Sequence, residues 1–148
     1  MHSWPTNYQE SWTLSHSVIR SGIGLHSGKG SEVCLSPSDN EGYCVSWADS
    51  SDPPIALAID QVRESKLCTS LQIGARRLST VEHLLAALSG CGLTHVDIEL
   101  FGDEIPILDG SSKCWVEAIQ EVGMVNSKTP RKAPPKLVEP KFFQRGES

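Results

Sequence analysis

The chain has 148 residues, 39% hydrophobic and 21% charged, with a formal charge of −5, a profile that suits one compact domain with a modest core. Thirteen Lys and Arg face eighteen Asp and Glu with no basic cluster, which argues against nucleic acid as a partner, because phosphate contacts need clustered cations. No apolar run reaches the roughly 20 residues that span a bilayer, and the first residues hold neither a charged-then-apolar leader nor an arginine before Arg20.

Residues 12–19, WTLSHSVI, alternate imperfectly between apolar and polar side chains, as a half-buried strand does. A glycine-punctuated turn, SGIGLHSGKG, comes next, and SEVCLSP over 31–37 predicts the partner strand. YCVSWA over 43–48 predicts a third strand, bounded by DNEG and DSSDP. PPIALAID over 53–60 and KLCTSLQI over 66–73 are further short apolar runs. From Ser79 the period changes: Val81, Leu84, Leu85 and Leu88 recur at helical spacing, and Gly90 and Gly92 stop the run. Ser79 and Glu82 supply the S-x-x-E pattern of a capping box.

THVDIELFG over 94–102 returns to alternation, with Val96, Ile98 and Leu100 on one face and His95, Asp97 and Glu99 on a solvated one. After the turn-forming DEIPILDGSS, SSKCWVEAIQEVG predicts a second helix. Its buried stripe is Trp115, Ala118, Ile119 and Val122, and Gly123 closes it. NSKTPRKAPPK then has the composition of an exposed linker, and LVEPKFF over 137–143 is strand-like. The predicted organisation is an α+β domain over 1–125, a Pro/Lys-rich linker over 126–136 and the first strand of a second domain over 137–148. Within the first domain a small, mostly antiparallel sheet carries two helices on one face.

Five cysteines, odd in number and without C-x-x-C, fit free thiols in a reducing compartment. The expected location is the cytoplasm, or an organelle if the source is a plant or alga. The glycine turn at 22–29 fails as a phosphate loop because Ile23 stands where the first glycine is needed. It fails as a dinucleotide fingerprint because Ser27 replaces the third. A hairpin accounts for its glycines and leaves His26 at the tip.

Glu82-His83 admits two accounts. Glu82 completes a cap beside an ordinary histidine, or a neutral imidazole binds a metal while the neighbouring carboxylate takes a proton from bound water. One histidine is not a zinc site, and no H-E-x-x-H or H-x-x-x-D pattern occurs in the chain. Asp109-Gly110 is a natural turn, in which Asp109 or Ser111 could cap the following helix.

Together, GIGLHSGK, LCTSL, LSTVEHLLAALSGCGLTHVDIEL and EIPILDGSSKCWVEAI, in this order and at these intervals, closely resemble the UDP-3-O-acyl-N-acetylglucosamine deacetylases, zinc-dependent hydrolases of lipid A biosynthesis. The resemblance runs from about Trp12 to Phe143. It implies two similar α+β domains packed helix layer against helix layer with the active site between them. It also implies removal of the N-acetyl group of UDP-3-O-acyl-N-acetylglucosamine, with release of acetate, by water bound to Zn2+.

By resemblance Glu82 is the general base and His83 a zinc ligand. His26 lies near the metal, Leu67, Cys68 and Thr69 line the substrate site, and Asp109 supports it. The family's remaining zinc ligands, from an H-K-x-x-D motif, and a further histidine belong to the second domain and do not occur in this sequence. The expectation is therefore a truncated chain that binds zinc weakly and is inactive alone, with an apolar helix face on which the missing domain packs. The alternative is a non-catalytic domain that associates with a separate second half or with itself.

Overall fold

A computed structural model describes residues 4–133, 136 and 138–144. In chain order the elements are β1 (Trp12–Leu14), β2 (Val18–Ile23), β3 (Gly30–Pro37), β4 (Gly42–Trp47), β5 (Ile55–Ala56), a 3-10 turn (Ile59–Gln61), β6 (Val62–Arg63), β7 (Ser70–Ile73) and β8 (Arg76–Ser79). Then come α1 (Glu82–Gly90), β9 (His95–Phe101), α2 (Lys113–Val122) and β10 (Met124–Asn126). The fold class is α+β.

β9 organises the main sheet. It pairs β3 antiparallel, with Val33 opposite Leu100, and β4 parallel, with Val45 opposite Ile98. A parallel neighbour needs a long crossover, and residues 48–94, carrying the second sheet and α1, make it. The stretch 12–19 is two strands rather than one. β1 pairs β10 antiparallel and meets β9 at Thr13 and His95, whereas β2 pairs β3 from Val18 opposite Leu35 to Ile23 opposite Gly30. β6, β7 and β8 form a separate antiparallel meander.

The predicted alternation sets the core. Val33, Leu35, Val45, Val96, Ile98 and Leu100 are buried together with Leu84, Ala87 and Leu88 of α1 and Trp115, Ala118 and Ile119 of α2. That many closely packed apolar groups are the main favourable term of the fold. α1 exposes Ala86, Ser89 and Gly90, and α2 exposes Lys113, Glu117, Gln120 and Glu121, while Leu85 of α1 and Val116 and Val122 of α2 are half-buried. Large exposed apolar side chains lie elsewhere, among them Ile19, Ile23, Leu25, Leu67 and Phe101.

His95 departs from the solvated face that its spacing assigns it. It is 0% exposed, because β1 and β4 both reach the end of β9 that carries it.

Past β10 the chain stays attached to the sheet. Ser127 N–H donates to Ser11 O at 2.8 Å, Arg131 N–H to Ser11 Oγ at 2.7 Å, and Thr129 Oγ1 to Asp39 O at 2.6 Å. In the stretch 137–148, residues 138–144 take no strand, and residues 137 and 145–148 lie outside the described ones. Among the described residues no helix is long and apolar enough to cross a membrane.

Candidate active site

The start of α1 is not built by a capping box. Ser79 is the last residue of β8; its N–H donates to Asp103 O and its carbonyl accepts from Ile105 N–H, each at 3.0 Å. Its hydroxyl pairs with Ser70 Oγ at 3.2 Å, so it does not reach the helix. The turn from strand to helix falls on Thr80, whose φ of 61° is a left-handed conformation that β-branched residues rarely adopt. Neighbours hold it there: its N–H donates to Thr69 O at 3.0 Å and its hydroxyl to Glu104 Oε1 at 3.0 Å. Glu82, released from capping, turns away from its helix, and its Oε2 accepts the N–H of Thr69 at 3.0 Å. Both Glu82 and the adjacent His83 are half-buried in the helix's first turn.

The His26 turn is anchored from the other side by an acid that the sequence did not single out. Glu104 is 5% exposed, and its carboxylate accepts the N–H of His26 at 2.9 Å and of Ser27 at 2.8 Å, besides the Thr80 hydroxyl. Burial alone would raise its pKa, but these donors outweigh it and hold the carboxyl down at about 2. Gly24 leaves room for that carboxylate, since a Cβ there would collide with Glu104 Oε2. Nothing local marks Glu104. The usable signal is chemical: an acid next to the apolar run Ile105-Pro106-Ile107 needs donors once buried.

Between the turn and the second sheet opens a cleft of about 600 Å3, lined among others by His26, Leu67 and Cys68. Leu67 is 82% exposed. Cys68 Sγ lies 3.3 Å from Ser65 Oγ and 3.7 Å from Ser70 Oγ. Burial acts to raise the thiol's pKa, yet these hydroxyls and Thr80 bring it below the ordinary cysteine value.

The structure thus gathers His26, Leu67 and Cys68 in one cleft and ties Thr69 to Glu82. One hydrogen-bonded series, Glu82–Thr69–Thr80–Glu104–His26, joins the helix start to the turn. His83 stands beside Glu82 on α1, and neither lines the cleft. Asp109 is not among the cleft's residues either; it accepts the N–H of Ser111 at 3.0 Å and its hydroxyl at 2.9 Å, a closed turn at the entry to α2. Among the described residues, no three or more His, Cys, Asp or Glu side chains form a group that could hold a metal ion.

The family model for UDP-3-O-acyl N-acetylglycosamine deacetylase matches residues 11–148. Three curated relatives carry the name UDP-3-O-acyl-N-acetylglucosamine deacetylase. That of Trichormus variabilis is 43% identical over 115 residues, covering 76% of this chain and 41% of the relative. That of Thermosynechococcus vestitus is 40% identical over 138 residues, covering 92% and 48%. That of Brucella melitensis is 37% identical over 122 residues, covering 81% and 43%. The chain spans less than half the length of each of these relatives.

Proposed function

The chain belongs to the UDP-3-O-acyl N-acetylglycosamine deacetylase family, and on that footing we propose that it supplies part of a deacetylase active site: Glu82 as the base and His83 as one metal ligand. The substrate is UDP-3-O-acyl-N-acetylglucosamine and the products are acetate and the free amine. A catalytic Zn2+ takes three protein ligands and keeps one position open. The described residues offer no such set, so they do not by themselves fit a resident zinc ion. The remaining ligands come from a second domain outside this sequence, and the 148 residues alone have little activity.

The observation that carries this proposal is the bond from Thr69 N–H to Glu82 Oε2. It commits one oxygen of the carboxylate and leaves the other to take a proton from the attacking water and pass it to the departing amine. It also fixes the base against the 67–69 segment, whose Leu67 and Cys68 line the cleft with His26. Asp109 supports the entry to α2 through Ser111 and does no chemistry. Five free cysteines suit a reducing compartment such as the cytoplasm.

The test is acetate release from UDP-3-O-acyl-N-acetylglucosamine with Zn2+, using the chain alone and mixed with the second half of the Thermosynechococcus vestitus relative. Activity should emerge only in the mixture, vanish with a chelator, and vanish with Glu82→Gln. A chelator-sensitive rate from the chain alone, matching the mixture, would overturn the proposal. The lack of a three-ligand group among the described residues also favours a second reading, a non-catalytic domain that binds a separate half or itself. Co-sedimentation of the mixture without acetate release would select it.

A further inference from the structure

The imidazole of His26 has nothing of its own to hold it. Its side chain is exposed in the cleft, and among the described residues no hydrogen bond reaches the ring. The ring therefore stands wherever the backbone of the turn puts it. That turn closes on itself: Gly24 N–H donates to Lys29 O and Gly28 N–H to Gly24 O, each at 2.9 Å. These bonds set its shape but not its place relative to α1.

Glu104 sets the place. Its own backbone is clamped between two sheets. On one side, Asp103 O and Ile105 N–H both bond Ser79 of β8 at 3.0 Å; on the other, Glu104 O accepts the hydroxyl of Ser31 on β3. From that frame the carboxylate divides its acceptors between two elements. Oε1 takes the N–H of His26 and the Thr80 hydroxyl, and Oε2 takes the N–H of Ser27. Thr80 N–H then donates to Thr69 O, and Thr69 N–H to Glu82. We infer that Glu104, acting with Thr80, is a positioning residue for the reaction: it fixes His26 relative to the base Glu82. This assignment rests on the deacetylase proposal.

The choice of residue at position 80 supports the coupling. A glycine would adopt the φ of 61° without strain, whereas threonine is β-branched and resists it. What threonine adds is the hydroxyl that reaches Glu104 Oε1 at 3.0 Å. An acid that served burial alone would also need no link to the helix corner. Here one carboxylate ties the turn that carries His26 to the corner that carries Glu82.

The test reads kcat and KM for acetate release in the mixture with the second half of the Thermosynechococcus vestitus relative. Glu104→Gln should lower kcat about tenfold or more and change KM less than about threefold, because a small displacement of a reacting group costs rate rather than binding. In a His26→Ala background the same substitution should lower kcat less than about twofold further, since a residue that acts through His26 has nothing left to position. Thr80→Ser and Thr80→Ala both remove the β-branch and differ in the hydroxyl. The serine variant should stay within about twofold of wild type and the alanine variant should follow Glu104→Gln.

Amide exchange on the chain itself gives a readout that needs no activity. Glu104→Ala removes both acceptor oxygens, so His26 and Ser27 should lose protection while Gly24 and Gly28 keep theirs. If that variant does not fold, Glu104→Gln, with one acceptor oxygen in place of two, should release at least one of the pair.

Additive effects of the Glu104 and His26 substitutions, a raised KM with kcat unchanged, equal rates for the two Thr80 variants, or unchanged protection at both His26 and Ser27 overturns the assignment. A wild-type mixture that releases no acetate overturns the deacetylase proposal instead, and amide exchange alone then decides whether Glu104 holds the turn.

Discussion

The carboxylate of Glu82 accepts the backbone N–H of Thr69, thirteen residues earlier, instead of capping the helix it begins. An acid in the first helical turn is well placed for the macrodipole, but here the bond runs across the strand-to-helix corner. Glu82→Ala should therefore speed hydrogen exchange at the Thr69 amide, and destabilise the fold by only about 1 kcal/mol, the net worth of one half-exposed hydrogen bond. Glu82→Gln keeps an acceptor oxygen and should leave Thr69 protected while abolishing acetate release in the complemented enzyme. Unprotected Thr69 in Glu82→Gln would mean that the charge, not the acceptor, holds the corner.

Glu104 gives the fold an acid-sensitive joint. Its carboxyl titrates at about 2 in the folded chain against an ordinary value of 4.5. The folded pKa is the lower one, so this stabilisation is complete above about pH 4.5 and is lost as the pH falls toward 2. The difference corresponds to about 3 kcal/mol, which is reasonable for a group this buried. Urea denaturation at pH 7 and pH 3 should show the wild type losing more stability than Glu104→Gln over that interval. Glutamine keeps one acceptor oxygen where the carboxylate has two, so in Glu104→Gln at least one of the His26 and Ser27 amides should lose hydrogen-exchange protection. Equal losses at both pH values would remove Glu104 from this role.

Sequence alone recovers elements whose signal lies within one segment. β3 and β9 alternate over six or more residues, β4 is an apolar run bounded by turn residues, and both helices keep a buried stripe, so they are visible without partners. β8 and β10 have four and three residues, too few to display a period, and exist because β7 and β1 pair with them. The S-x-x-E pattern misleads for a related reason. Capping presumes that the helix starts at Ser79, and the left-handed turn at Thr80 delays it. Local pattern draws notice to His26 and Glu82, but their roles, like those of Leu67 and Cys68, come from the family resemblance rather than from spacing. Glu104 was out of reach, because its donors His26 and Ser27 are 78 and 77 residues away.

Cys68 should be the fast thiol. The hydroxyls of Ser65, Ser70 and Thr80 overcome its burial and lower its pKa, whereas burial raises those of Cys44 and Cys91. More thiolate at neutral pH means faster attack on an electrophile. Under limiting iodoacetamide at pH 7.5, peptide mass spectrometry should find Cys68 alkylated several-fold faster than Cys44 or Cys91. Ser65→Ala removes one donor and should move the rate profile of Cys68 to higher pH. An unmoved profile would show that exposure alone sets the rate.

His95 makes a second, separate pH window. It is wholly buried, its Nδ1 pairs with Thr94 Oγ1 at 2.8 Å, and its Nε2 has no hydrogen-bond partner among the described residues. Burial lowers its pKa below the ordinary 6.5, and the attraction of Glu41 and Asp39 does not restore it. The unfolded chain therefore takes up a proton near pH 6.5 that the folded chain refuses, so stability is full above that value and declines as the pH falls toward the folded pKa. His95→Asn can keep an acceptor facing Thr94, and it should cost about 1–3 kcal/mol at pH 7.5 through lost packing. It should then lose less than the wild type between pH 7.5 and 5.5. That interval lies above the window of Glu104, so the two effects can be measured apart by urea midpoints. A wild type whose midpoint is flat from pH 7.5 to 5.5 would mean that the unpartnered Nε2 is reached by water and that His95 is not sealed in the interior.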